Sequence, residues 1–260
     1  MRMSDSVDYD RNFVGKCELL WGKGFLAPNR GNGIFDIVPP PLLEAKHVLD
    51  FGCGLGGPSI ALARSSRLVI ALDIDPALVA IAMRYAAEAG VTNLTFLVAD
   101  VSQDALPIAP NSMDVIFSRD AIVHVAEKMR LFLEFSRVAI PGATLALSDW
   151  FATDQRERPR RKLEAVIRAT GLHLEFTSLG TTISMIQRAG FIVQRCQSRS
   201  PWYREQALLD IAEMEGESAT QLDALLGCEG RKAWVRTRAL LVEAIDEGEF
   251  TPFIIQAFRQ

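Results

Sequence analysis

The segment HVLDFGCGLGGPSIALA, residues 47–63, constrains the fold more than any other part of the chain. An apolar run over 47–51 ends in a glycine-rich turn and passes at once into a helical period. A strand, a tight loop and a helix in direct succession form the opening unit of a doubly wound α/β sheet. Glycines at 52, 54 and 56 let the chain turn sharply and let backbone N–H groups approach a ligand closely. Asp50, near the end of the strand, offers a carboxylate to a cationic or amine-bearing group.

The pattern repeats. Apolar runs at 67–73, 94–100, 113–119 and 143–150 alternate with helical periods, as expected for a parallel sheet with crossover helices. Asp75 as N-cap and Pro76 at the first helical position open one helix, with Leu78, Ile81, Ala82 and Tyr85 on its apolar stripe. A second helix is expected over about 125–138, burying Leu131, Phe135 and Val138 and stopping before Pro141 and Gly142. Beyond it come a helix at 179–189, a strand at 191–197, amphipathic helices at about 203–226 and 231–246, and a last strand at 253–258. A helix from about Tyr9 to Trp21 and the stretch GKGFLAPNRGNG precede the sheet. Residues 1–45 therefore read as a lid, and 46–260 as one domain with helical insertions at about 155–178 and 201–247.

Composition excludes several function classes. A chain with 49% hydrophobic and 23% charged residues is neither disordered nor fibrous. Charges interrupt every apolar run well short of a membrane span, and MRMSDSVDYD lacks the apolar core of a secretory signal, so a cytoplasmic location is expected. A net charge of −4 disfavours a nucleic-acid backbone or anionic membrane as partner, which leaves a small-molecule substrate. Four scattered cysteines and three histidines predict no disulfide framework and no metal centre. Monomer and homodimer both stay open.

The second strand ends at Asp73, where an acidic side chain can accept hydrogen bonds from both hydroxyls of a ribose. The third run ends in Ala99, Asp100 and Val101, suited to an adenine amino group with Val101 against the ring. Carboxylates at three successive strand ends repel a pyrophosphate. A cationic, phosphate-free adenosine suits them better, which favours S-adenosyl-L-methionine over a dinucleotide.

On these residues the chain resembles the class I S-adenosylmethionine-dependent methyltransferases: DFGCGLG fits their DxGxGxG motif, LDID their ribose motif and VADV their adenine motif. The resemblance covers roughly residues 46–150 and implies a mainly parallel, seven-stranded Rossmann-like sheet whose last strand is antiparallel. Within that family, SRDAIVHV at 118–125, with Tyr9 and ELLWGKGFL at 18–26, is similar to the phosphoethanolamine N-methyltransferases and their small-amine relatives. By that resemblance Tyr9 and His124 are a catalytic pair that latches the lid. Tyr9, Leu26, Asp50, Gly52, Gly54, Asp73, Ile74, Asp100, Val101 and Arg119 surround the cofactor, and Asp120 and Trp150 meet the substrate. The tyrosines, arginine and lysine that clamp phosphate in that family are not recognisable between Asp149 and His173; Trp150 stands near where the first tyrosine belongs.

The implied activity is methylation of a small molecule, foremost at an amine nitrogen. Methylation of oxygen or sulfur in a natural-product intermediate is the alternative, with Trp150, Trp202 and Phe176 shaping an aromatic pocket, and a non-catalytic cofactor-binding module is a third reading. His124, with an ordinary pKa of about 6.5, suits an acceptor for the amine proton. Each of these residues also has a structural reading: His124 as an imidazole opening the next helix, Tyr9 as packing, Asp120 as a helix N-cap, Cys53 as a small filler of the loop. Arg156, Arg158, Arg160, Arg161 and Lys162 are a solvated helix start or a receiver for an anionic substrate. His47 lies at the wrong end of the sheet for chemistry, and His173 has no evident partner.

Overall fold

The computed structural model describes residues 11–28, 33–153 and 161–260. Seven strands form one sheet: β1 (His47–Phe51), β2 (Leu68–Asp73), β3 (Leu94–Val98), β4 (Met113–Arg119), β5 (Ala139–Ala152), β6 (Phe191–Ser198) and β7 (Phe250–Arg259). Their order is β3-β2-β1-β4-β5-β7-β6. Strands β1 to β5 pair in parallel, and β7 runs antiparallel between β5 and β6. This is the doubly wound, seven-stranded mixed sheet anticipated from the sequence. Strand order reverses between β1 and β4, so their carboxyl ends open the crevice where ligands bind in such sheets.

The period of two sorts each strand onto two cores. Leu49, Ile116, Leu145, Leu147 and Ile255 pack on one face with Phe132 and Phe135. Val48, Val115, Phe117, Ala146 and Ile254 pack on the other with Ile37, Leu43 and Leu62. Asp50 shares a face with Val48, which turns its carboxylate toward the helix α2 (Gly57–Ala63) rather than into the first core.

Helix α1 is Arg11–Trp21 and α3 is Pro76–Glu88. Asp75 caps α3 by accepting the N–H groups of Ala77 at 2.7 Å and Leu78 at 3.4 Å, as its sequence predicts. Helix α4 (Lys128–Val138) starts three residues later than the hydrophobic period suggests, because Ile122–His124 form a separate 3-10 turn. Strand β5 begins before Pro141, passing the Pro-Gly pair with a shift of register against β4. Helices α5 (Arg161–Thr170) and α6 (Leu179–Arg188) follow, then α7 (Ser200–Glu215) and α8 (Ala219–Asp246). The helix expected over 203–226 breaks at Gly216, where a β carbon would lie 2.8 Å from the oxygen of Ala212. Its second half runs on through a kink at Gly227 (φ 73°, ψ 158°) into the helix expected at 231. Among the described residues no helix is long and apolar enough to cross a membrane.

Candidate active site

The loop after β1 is built for close approach. A β carbon on Gly52 (φ 77°) would sit 2.2 Å from Cβ of Ala121, and one on Gly54 (φ 52°) would sit 3.0 Å from Cδ1 of Leu26. Leu26 thus lies directly on the glycine loop, packed with Val14, Leu55 and Leu78. Gly57 N–H donates to the oxygen of Gly24 at 2.9 Å, which ties the segment after α1 to the same loop.

The acidic residues sit at the carboxyl edge as expected, but each is already engaged. Asp50 is buried and accepts the Ser59 hydroxyl at 2.6 Å. Burial raises its carboxyl to about 7, with Asp73 adding to the rise, against the Ser59 hydrogen bond and the charge of Arg119. Asp73 accepts Gly54 N–H at 2.7 Å on Oδ2 and Asp75 N–H at 3.0 Å on Oδ1, so it ties the glycine loop to the end of β2. Burial raises its pKa as well. Each carboxylate oxygen keeps a second acceptor position for a ligand hydroxyl. Ile74, next along, is half exposed.

Strand β3 stops at Val98, so Asp100 lies past its end and closes a turn. It accepts the N–H of Ser102 at 2.9 Å, the Ser102 hydroxyl at 2.6 Å and the Gln103 amide at 2.9 Å. Val101 is buried in the core with Leu72 and Leu106. Sequence spacing alone put both residues at a strand end. The structure adds that one shapes the turn and the other anchors it.

Beyond β4 the chain carries a polar cluster. Arg119 is buried; its Nη2 donates to the oxygen of Pro28, while its Nε and Nη1 have no hydrogen-bond partner among the described residues. Asp120 adopts φ 53°, a left-handed conformation that Asp tolerates better than most residues, and its N–H donates to Ser148 O at 2.8 Å. It does not cap a helix: Ala121 holds that place before the 3-10 turn, without a side-chain cap. Its Oδ1 instead accepts the Tyr203 hydroxyl at 2.6 Å.

His124 closes the 3-10 turn rather than opening α4, and its Nδ1 lies 2.8 Å from His173 O. A carbonyl oxygen only accepts, so Nδ1 carries the proton and Nε2 keeps its lone pair. Burial lowers the imidazole pKa, outweighing the His173 carbonyl and the negative charges of Asp120 and Asp73. Tyr9, the expected partner of His124, lies outside the described residues, as do Arg156, Arg158 and Arg160. Lys162 pairs with Glu243 on α8 and, at 3.5 Å, with Glu247 at that helix's C-cap. Burial and the neighbouring Asp50 and Asp73 raise the Cys53 thiol, which keeps it a neutral filler of the loop.

The glycine cradle, the orphaned guanidinium atoms of Arg119 and the carboxylates of Asp50 and Asp73 fit an adenosyl amino acid: donors for a carboxylate, acceptors for an amine and a ribose. Residues 49–147 match the family model described as a methyltransferase domain. This stretch of the chain is a methyltransferase domain.

The chain is 29% identical over 218 residues to a phosphoethanolamine N-methyltransferase of Triticum aestivum, an alignment covering 82% of this chain and 41% of the relative. A dimethylglycine N-methyltransferase of Parasynechococcus marenigrum is 35% identical over 115 residues, covering 44% of this chain and 41% of the relative. The chain thus spans less than half the length of either relative. Among solved structures, phosphoethanolamine N-methyltransferase 2 of Haemonchus contortus, in complex with phosphomonomethylethanolamine and S-adenosylhomocysteine, superposes with a TM-score of 0.85 at 20% identity. That match covers 97% of this chain and 59% of the other.

What the sequence reading missed comes from outside the methyltransferase domain's matched stretch. Tyr203 and Arg199 reach in from α7; Arg199 is buried, stacks 3.9 Å from the Trp202 ring and stands 3.6 Å from Asp36. Trp150 meets the Tyr203 ring edge-on at 5.9 Å. His173, which offered no partner in the sequence, holds His124 through its backbone and pairs with Glu175 at 2.9 Å. Asp149 is buried, accepts the N–H groups of Val123 at 3.1 Å and Trp150 at 2.7 Å, and is raised to about 7 by burial and by Asp120. Helix α1 docks through Trp21, whose indole N–H donates to both oxygens of the buried Asp210 at 3.1 Å, with Arg238 3.4 Å from the same carboxylate.

Proposed function

We propose that the chain is an S-adenosylmethionine-dependent N-methyltransferase of a small amine. The observation that carries this reading is an imidazole whose Nε2 keeps its lone pair and which feels the charge of the half-buried Asp120 carboxylate, at the carboxyl edge that also holds the glycine cradle. When bound, S-adenosylmethionine supplies a methyl group already activated on a sulfonium.

The chain's residues do the remaining work. Gly52 and Gly54 admit the ligand to the backbone, Asp50 and Asp73 receive its amine and ribose hydroxyls, and Arg119 receives its carboxylate. Ile74, Asp100 and Val101 border the adenine, and Leu26 closes the loop. An ammonium has no lone pair, so the substrate must lose a proton before it can act as a nucleophile. Nε2 of His124 accepts that proton. Asp120 and Trp150 hold the amine so that its lone pair is aligned, because in such a transfer positioning supplies most of the rate. Residues 1–45, with Tyr9, act as the lid that excludes water. The same reading assigns the enzyme to the cytoplasm, in keeping with four unpaired cysteines.

Incubating the protein with methyl-labelled S-adenosylmethionine and either phosphoethanolamine, dimethylglycine or simple phenols tests this. Label appearing on an amine, with stoichiometric S-adenosylhomocysteine, is the expected result. Label only on phenols, or none, refutes it.

A further inference from the structure

The two oxygens of Asp120 are not equivalent. Oδ1 accepts the Tyr203 hydroxyl at 2.6 Å. Oδ2 is buried and forms an ion pair with Arg119 Nε at 3.6 Å, beyond hydrogen-bond reach, and it has no hydrogen-bond partner among the described residues. A buried carboxylate oxygen left without a hydrogen bond is costly even beside a cation, and such atoms mark places where a ligand completes the bond.

Both ends of the pair are fixed. Asp120 is held by its left-handed backbone and its N–H bond to Ser148. The Tyr203 ring is wedged edge-on against Trp150 at 5.9 Å and Trp202 at 4.8 Å. Burial and the neighbouring Asp120 push the phenol up, so it stays protonated and donates. With Oδ1 taken and the carboxylate unable to turn, Oδ2 points in one direction only.

We infer that Tyr203 is a positioning residue that commits Asp120 Oδ2 to a substrate N–H. This rests on the amine methyltransferase reading. The consequence is a sorting rule for binding: primary and secondary amines keep an N–H on Oδ2 after giving a proton to His124, a protonated tertiary amine docks through its one N–H and releases Oδ2 when that proton leaves for His124, and a quaternary ammonium carries none. The site then holds every substrate of successive methylations and lets go of a fully methylated product.

Titration calorimetry on the S-adenosylhomocysteine complex tests this with two matched pairs, dimethylglycine against trimethylglycine and phosphoethanolamine against phosphocholine. Tyr203→Phe keeps the ring and removes the hydroxyl. It is expected to weaken the N–H-bearing member of a pair about tenfold, as loss of a hydrogen bond to a charged group does, while the quaternary member is unchanged. Asp120→Asn, in which Asn tolerates the left-handed backbone, removes the charge as well and is expected to weaken both members, the N–H-bearing one about tenfold more than the quaternary one, with the double variant losing no more than Asp120→Asn alone. Equal loss for both members, no loss, or no amine binding to the wild-type complex overturns the inference. Failure of S-adenosylhomocysteine itself to bind overturns the functional reading beneath it.

Discussion

Nδ1 of His124 stands 2.8 Å from the backbone oxygen of His173, a residue 49 positions further along the chain. Three more bonds clamp the same strip. Glu175 N–H donates to Val123 O at 2.7 Å, and Lys128 Nζ donates to Val125 O at 2.6 Å and to Glu175 O at 2.5 Å. The segment before α6 therefore sets the tautomer of the imidazole, and with it which nitrogen faces the substrate.

Replacing His124 with Ala removes the proposed proton acceptor. Turnover is expected to fall by about 10² to 10⁴, the usual range for such a group, while S-adenosylhomocysteine binds as before. Because burial lowers the imidazole pKa, wild-type turnover should hold down through pH 6.5 and fall only below it. Steady-state rates across pH 5 to 8 check both points.

Lys128→Met cuts the clamp while leaving the ring in place. Two carbonyl oxygens lose a charged donor, which costs about 1.5 to 3 kcal/mol per bond at most and lowers the melting temperature. The expected sign that the clamp positions His124 is a fall in kcat larger than any change in the KM for the amine. An unchanged kcat would restrict Lys128 to a role in stability.

Gly52→Ala sets a methyl group 2.2 Å from Cβ of Ala121 at φ 77°. Overpacking and left-handed strain together cost about 2 to 5 kcal/mol. A chemical denaturation curve should show that loss, and affinity for S-adenosylhomocysteine should fall at least tenfold.

Asp50 binds its proton more tightly in the folded protein, near 7 against 3.8 for the ordinary carboxyl. The folded state thus holds a proton that the unfolded chain has released, and this contribution is full below about pH 3.8 and is lost as pH rises through 7. Asp50→Asn keeps an acceptor for Ser59 and has no proton to lose. Melting temperatures measured from pH 5 to 8 should decline less in the variant, with a relative gain on the order of a few kcal/mol by pH 8. Parallel declines would contradict the assignment.

Much of the fold was legible because its signals are local. Alternating strands, the glycine loop and the Asp75-Pro76 cap depend on neighbours within a few residues, and all are present, with the ends of β3, β5 and β7 displaced by a few residues. Boundaries moved where local backbone interrupts a helical period: α4 starts late because Ile122–His124 form a separate 3-10 turn, and the helix after Ser200 breaks at Gly216. The site was legible only along its strand ends. Tyr203 meets Asp120 across 83 positions and His173 meets His124 through a backbone oxygen, and neither relation leaves a mark in spacing or residue type.

Titration of S-adenosylhomocysteine into the purified protein, with NAD as the comparison, tests the central claim most directly. Saturable one-site binding of the adenosyl compound, a matching rise in melting temperature and no binding of NAD are predicted. Saturable binding of NAD with no heat from S-adenosylhomocysteine would contradict the account.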